Sequence, residues 1–244
     1  MMLKLALVLG LLPLAAAAQT CTNTIFNDAI YSVCEVDAAQ DLRLFLYDAQ
    51  GAVLGTFGRI DAELAAEGKQ LVFAMNAGMY HRDRRPVGLY VENGEQVTPI
   101  VTAGSAGNFG MRPNGVFCVG PDGGFSIVES RAHAANPPNC RHATQSGPLL
   151  VIDGAYHPRF IADSPSRLIR NGVGVSRDGQ RAFFVMSSNR VNFLEFATFF
   201  REGLGLRQAL YLDGNISRLY APELGRNDFG FPMGPIVGLA APRP

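Results

Sequence analysis

Apolar residues along the chain fall mostly in short runs broken by Gly, Pro, Asn and Asp. Ile30–Val36 and Leu42–Asp48 are rich in aliphatic and aromatic residues and predict strands, with Asp48–Gly51 as the turn that follows. Leu71–Gly78 predicts a buried strand running into a polar loop. Three hairpins are expected, around Asn93-Gly94, Pro121–Gly124 and Arg177–Gly179, each between two apolar or alternating runs. Ile60–Gly68 is Ala/Glu-rich and closes on Gly, which predicts a two-turn helix. Asn192 and Glu195 have capping-box spacing, and Phe193, Phe196, Ala197 and Phe200 then share a helical face before Gly203 and Gly205 end it. The strand Ala209–Asp213 hands Asp213 to Gly214. Segment 131–143, with its Asn136-Pro-Pro-Asn-Cys140 run, predicts an irregular loop that a disulfide could pin. Local hairpins joined in this way predict an α+β fold: a large antiparallel or mixed sheet with few helices, in a single domain without a fixed-period repeat.

The start of the chain changes the picture. Lys4, an apolar run and small residues at Ala16 and Ala18 predict a secretory signal peptide over residues 1–18, leaving 19–244 as the domain. The run is too short for a good membrane span, and no later segment approaches one. The expected address is periplasmic or secreted. Without Lys4 the chain has 20 basic and 21 acidic residues, so charge gives no case for nucleic acid or an anionic membrane as partner. Four Cys in an exported chain predict two disulfides, and the most local pairing is Cys21–Cys34 with Cys118–Cys140. Neither pair has zinc or redox spacing, and no metal site or cofactor is expected.

Apolar strands repeatedly end in polar, Gly-containing clusters: Asn76–His81, Arg112–Gly115, Thr144–Pro148, Arg170–Gly172 and Asp213–Ser217. Each can be a plain turn. Together they offer neutral hydrogen-bonding groups, arginine forks for an anion and an acidic group. Asp213 is the first candidate for base or nucleophile, with Asp153 in a similar Ile-Asp-Gly context as its rival. Arg170 is the leading phosphate clamp and Arg112 the second, and His81 could assist acid–base work. Asn76, Asn114, Gln145, Ser146, Asn171 and Ser217 complete the expected substrate-binding set. Glu195 is assigned to the helix cap rather than to catalysis.

The segments AMNAGMYHRDRRPVGLY, RPNGVF, ATQSGP, RNGVGV, NFLEFATFFR and ALYLDGNIS occur in this order between Ala74 and Gly238. In that order they resemble the bacterial phosphodiester glycosidase family, related to the uncovering enzyme that removes N-acetylglucosamine from a phosphodiester on mannose. The resemblance implies hydrolysis of a glycosyl phosphodiester, with a carbohydrate phosphodiester as substrate. That branch carries a second Gly after its Asp-Gly pair, where this chain has Asn215, which points to a different loop shape and substrate. The phosphate of such an ester is a good leaving group, so one carboxylate with arginine support can serve where glycosidases commonly use two. The signatures of G-x-S-x-G hydrolases, kinases, P-loop nucleotide binders and HExxH proteases are missing from the sequence. The reading from another class is a non-catalytic periplasmic module that binds envelope glycans. The sequence names no partner protein.

Overall fold

The computed structural model describes residues 20–244. The expected signal peptide lies outside the described residues. Three antiparallel sheets build the domain. The largest runs in the order Cys21–Phe26, Ala29–Asp37, Arg181–Ser187, Asn171–Val175, Gln208–Asp213, Leu149–Ile152, Ala155–Tyr156. A second runs Arg226–Asn227, Leu219–Ala221, Lys69–Asn76, Ile236–Pro242, Asp41–Phe45. The third runs Glu95–Thr98, Tyr90–Glu92, His142–Ser146, Gly115–Val119, Phe125–Glu129. The three expected hairpins form at Asn93-Gly94, Pro121–Gly124 and Arg177–Gly179.

One core joins the sheets. Phe184 of the first meets Phe73 of the second with ring centroids 5.4 Å apart, and Phe117 of the third at 5.6 Å edge-on. These geometries suit the aromatic quadrupole, and the three rings are essentially shielded from solvent. Two outer layers cover what remains apolar. The helix Phe57–Ala66 buries Phe57, Ile60 and Leu64 against the second sheet. It starts three residues earlier than expected, because the Thr56 hydroxyl accepts from the Arg59 amide at 3.4 Å and caps it there. On the outer face of the first sheet, the helix Phe193–Thr198 and the wider turn Phe199–Gly203 press Phe196 and Phe200 onto Gly172 and Gly174. A Cβ on Gly174 would stand 2.9 Å from the Phe200 ring, so this strand needs glycine for the helix to approach.

The expected irregular segment 131–143 is corrected. Ser130–Ala135 is helical, because the Glu129 carboxylate accepts from the Arg131 and Ala132 amides at 2.9 and 3.0 Å. His142 and Ala143 already belong to a buried strand. Only the stretch between remains irregular, and the Cys118–Cys140 disulfide ties it to the third sheet. Cys21 and Cys34 stand directly opposite one another on neighbouring strands, with Cα atoms 4.0 Å apart, and form the other disulfide.

Candidate active site

The first two sheets place strand ends beside each other, and Asn76, Asn171 and Asp213 meet there. The strand Asn171–Val175 sets Gly172 opposite Tyr211 and Asn171 opposite Asp213, so Leu212 is an extra residue that bulges the partner strand. The Asn171 carboxamide fills the gap. Its Oδ1 accepts from the Asp213 amide at 2.9 Å and from Asn76 Nδ2 at 3.1 Å, and its Nδ2 donates to the Asn76 carbonyl at 2.9 Å. Asn76 Oδ1 in turn accepts from the Arg218 amide at 3.1 Å. Ser146 donates to the Leu212 carbonyl at 2.8 Å, and Ser217 to the Ile169 carbonyl at 3.0 Å. Buried neutral amides thus stitch the two sheets and hold the backbone that carries Asp213.

Asp213 itself is 93% shielded, yet it opens on a cleft of about 410 Å³. Its Oδ1 accepts from the Gly214 and Asn215 amides at 2.6 and 2.9 Å, which aims the carboxyl group. Burial pushes its pKa above the usual carboxylate value, against the opposing pull of those amides. Met79, Tyr80, Asn108, Phe109 and Asn215 wall the cleft around it. The Tyr80 phenol is held above its ordinary pKa by burial first and by the Asp213 charge second. Among the described residues lining this cleft, Asp213 is the one carboxylate.

The other expected site residues take different places. Arg170 is fully buried. Its Nε donates to the Val191 carbonyl at 2.9 Å and its Nη2 to the Ser166 carbonyl at 2.8 Å, and the guanidinium stacks 3.8 Å from the Phe193 ring centroid. The Tyr211 ring lies 5.4 Å from the guanidinium, and the Tyr211 hydroxyl fills the space beside Gly214. Arg170 Nη1 has no hydrogen-bond partner among the described residues, so the side chain lies buried among carbonyls and rings with one donor group unpaired.

Gln145 accepts from the Leu89 and Val101 amides and donates to the Val101 carbonyl and to Ser130. Asn114 donates to the Phe109 carbonyl at 2.8 Å. Gln145 thus ties Leu89 to Val101, and Asn114 braces Phe109 of the cleft wall while its Oδ1 has no partner among the described residues. Arg112 is exposed and packs against Gly104 behind that wall. His81 is exposed in the turn closed by the His81 amide on the Arg85 carbonyl, next to Tyr80. Asp153 is exposed and bonds Gln208, at the opposite end of the strand that ends in Asp213. Glu195 completes the capping box with Asn192 as expected.

Sequence reasoning missed Asn108 and Tyr211. Asn108 stands in the Gly-rich run Gly104–Gly110, a signal available in the sequence. Tyr211 reads there as a strand residue. Among the described residues, no three His, Cys, Asp or Glu side chains gather as metal ligands.

Asp213 is thus a desolvated carboxylate on a polar cleft, carried at the end of an inner strand of the first sheet and aimed by backbone amides. The profile of the phosphodiester glycosidase family matches residues 69–230. The uncharacterized protein YigE of Escherichia coli (strain K12) is 36% identical over 218 residues, covering 89% of this chain and 84% of that protein. The chain belongs to the phosphodiester glycosidase family, and is a hydrolase of that kind. The fold is shared with the zebrafish N-acetylglucosamine-1-phosphodiester alpha-N-acetylglucosaminidase catalytic domain, described as auto-inhibited by its pro-peptide. The TM-score is 0.60 at 12% identity, covering 90% of this chain and 81% of that one. Membership in an enzyme family displaces the non-catalytic glycan-binding module.

Proposed function

We propose that this protein is exported and hydrolyses a glycosyl phosphodiester of an envelope or extracellular glycoconjugate, with Asp213 as the reacting carboxylate. The observation that carries the reading is the lone, desolvated Asp213 on the cleft of a chain in this family. Removing water from a carboxylate makes it a stronger base. Asp213 either takes the proton from the attacking water or attacks the anomeric carbon itself, forming a glycosyl ester that water then hydrolyses to release the sugar and regenerate the carboxylate. The C1–O bond breaks as the new bond forms, and its electrons leave with the phosphomonoester. That group departs as an anion, so the leaving oxygen has little need of the second carboxylate that commonly protonates an alcohol. Tyr80, Asn108 and Asn215 supply hydrogen-bonding groups to the sugar or the phosphate. Two disulfides and the signal-like start support an oxidising compartment.

The test is hydrolysis of a synthetic sugar-1-phosphodiester in ¹⁸O-labelled water. The expected products are free sugar carrying the label and an unlabelled phosphomonoester. Label in the phosphate would place cleavage at phosphorus and overturn the mechanism. No hydrolysis across a panel of common sugars would overturn the substrate class.

A further inference from the structure

Asn215, on the wall of the Asp213 cleft, also faces space on its other side. Asn215 also lines a second cavity of about 340 Å³, with Leu168, Gly214 and Ser217 on its walls. Arg190 lines that cavity and, at the same time, a third of about 600 Å³ that includes Tyr31, Arg167 and Glu195. Shared residues therefore set the three cavities side by side, with Asn215 on the first boundary and Arg190 on the second.

The charges along these cavities are unequal. Arg167 pairs with Glu195 at 2.8 Å and donates from Nη2 to the Arg190 carbonyl at 3.1 Å. Arg190 is exposed, and among the described residues no carboxylate lies within ion-pair distance of it. Among the described residues its guanidinium donates one hydrogen bond, a long one from Nη1 to the Arg167 carbonyl at 3.5 Å. The Leu168–Val191 bridge fixes the backbone on both sides of this pair. Asp28 and Glu195 are the acidic residues lining the third cavity, and Arg167 takes up the charge of Glu195. A free guanidinium fork is thus held where two cavities meet, one cavity removed from the reacting carboxylate. Such a fork matches the paired oxygens of a phosphate or carboxylate.

We propose that the path from Asn215 to Arg190 is an extended subsite for a substrate carrying a second anionic group, a phosphate or a carboxylate, beyond the scissile phosphodiester. The proposal rests on the reading of the Asp213 cleft given above. It assigns the substrate to acidic, extended glycoconjugates rather than to a single sugar phosphate with a small neutral aglycone. Arg190 is exposed, so the contact is salt-sensitive.

The experiment uses non-hydrolysable phosphonate analogues of a sugar-1-phosphodiester. Their alkyl aglycones end in a hydroxyl, a carboxylate or a phosphate, and binding to the mature protein is measured by calorimetry. The terminal anion is expected to tighten binding at least about tenfold over the hydroxyl. That ratio should fall close to one in Arg190→Gln, and shrink in about 0.5 M salt. The carboxylate and phosphate arms identify which anion the site prefers. A ratio near one in the unaltered protein, or a preference that survives in Arg190→Gln, overturns the subsite. Turnover of the corresponding hydrolysable esters is read separately. Preference without turnover would leave the subsite standing and defeat the hydrolase reading, whereas turnover without preference would do the reverse.

Discussion

Asp213→Asn isolates the chemistry from the fold. The carboxamide has nearly the same shape, and its oxygen can still accept from the Gly214 and Asn215 amides that bond Oδ1. Exchanging charge-assisted bonds for neutral ones costs about 1 kcal/mol each. Removing a buried charge offsets this, because desolvation already raises the pKa of Asp213 and the ionised form is the disfavoured one. The sign follows from proton linkage. A carboxyl whose folded pKa lies above its unfolded value binds more protons folded than unfolded, so stability falls as pH rises through that window. At neutral pH the variant should therefore melt close to, or above, the unaltered protein. Turnover should fall at least about a hundredfold, equivalent to about 2.7 kcal/mol of barrier. The acid limb of kcat/KM should lie above the ordinary aspartate range and disappear in the variant. Steady-state kinetics on a sugar-1-phosphodiester across pH, with thermal melts of both proteins, decide the matter. A variant that keeps more than about a tenth of the activity refutes the assignment of Asp213.

Three further outcomes are expected. Glu195→Gln keeps a side-chain acceptor for the Asn192 amide and loses only a half-exposed pair with Arg167, so activity should persist with a stability loss of at most about 1 kcal/mol by chemical denaturation; a thousandfold drop in turnover with unchanged melting would make it catalytic. Arg170→Lys should cost about 2–3 kcal/mol, because a compact ammonium lacks the planar fork that reaches the Val191 and Ser166 carbonyls from two separate nitrogens and the Phe193 stack is weakened. A selective loss on phosphodiesters over aryl glycosides, with unchanged melting, would instead restore the direct phosphate clamp. Replacing Cys118 and Cys140 together by Ser opens a loop spanning 22 residues and should lower stability by about 3 kcal/mol, measured by urea unfolding.

Local physics was legible in the sequence. The hairpin turns at Asn93-Gly94 and Arg177–Gly179 need backbone conformations that those residues favour, and they form where expected. The Asn192–Glu195 capping box depends on residues three apart and needs no partner from elsewhere. The Cys21–Cys34 pairing was readable for a similar reason, since a hairpin sets its two strands side by side, and Cys118–Cys140 followed as the remaining local pair. Asp213 could be singled out because a buried strand ends on it before a glycine.

Tertiary structure decided what those polar residues do. Asn76 and Asn171 are 95 positions apart, and only the meeting of two sheets turns them into a buried brace for Asp213. Gln145 resembles a ligand-binding residue in the sequence, yet its bonds hold Leu89 and Val101, 56 and 44 positions away. Arg170 shares a motif with Asn171, but strand alternation turns it toward Val191 and Phe193. Asn108 enters the cleft through a Gly-rich loop whose path no local preference specifies. The division has one physical cause. Turns, caps and alternation are set by neighbours along the chain, whereas a polar side chain's role depends on which donor or acceptor long-range packing brings within about 3 Å of it.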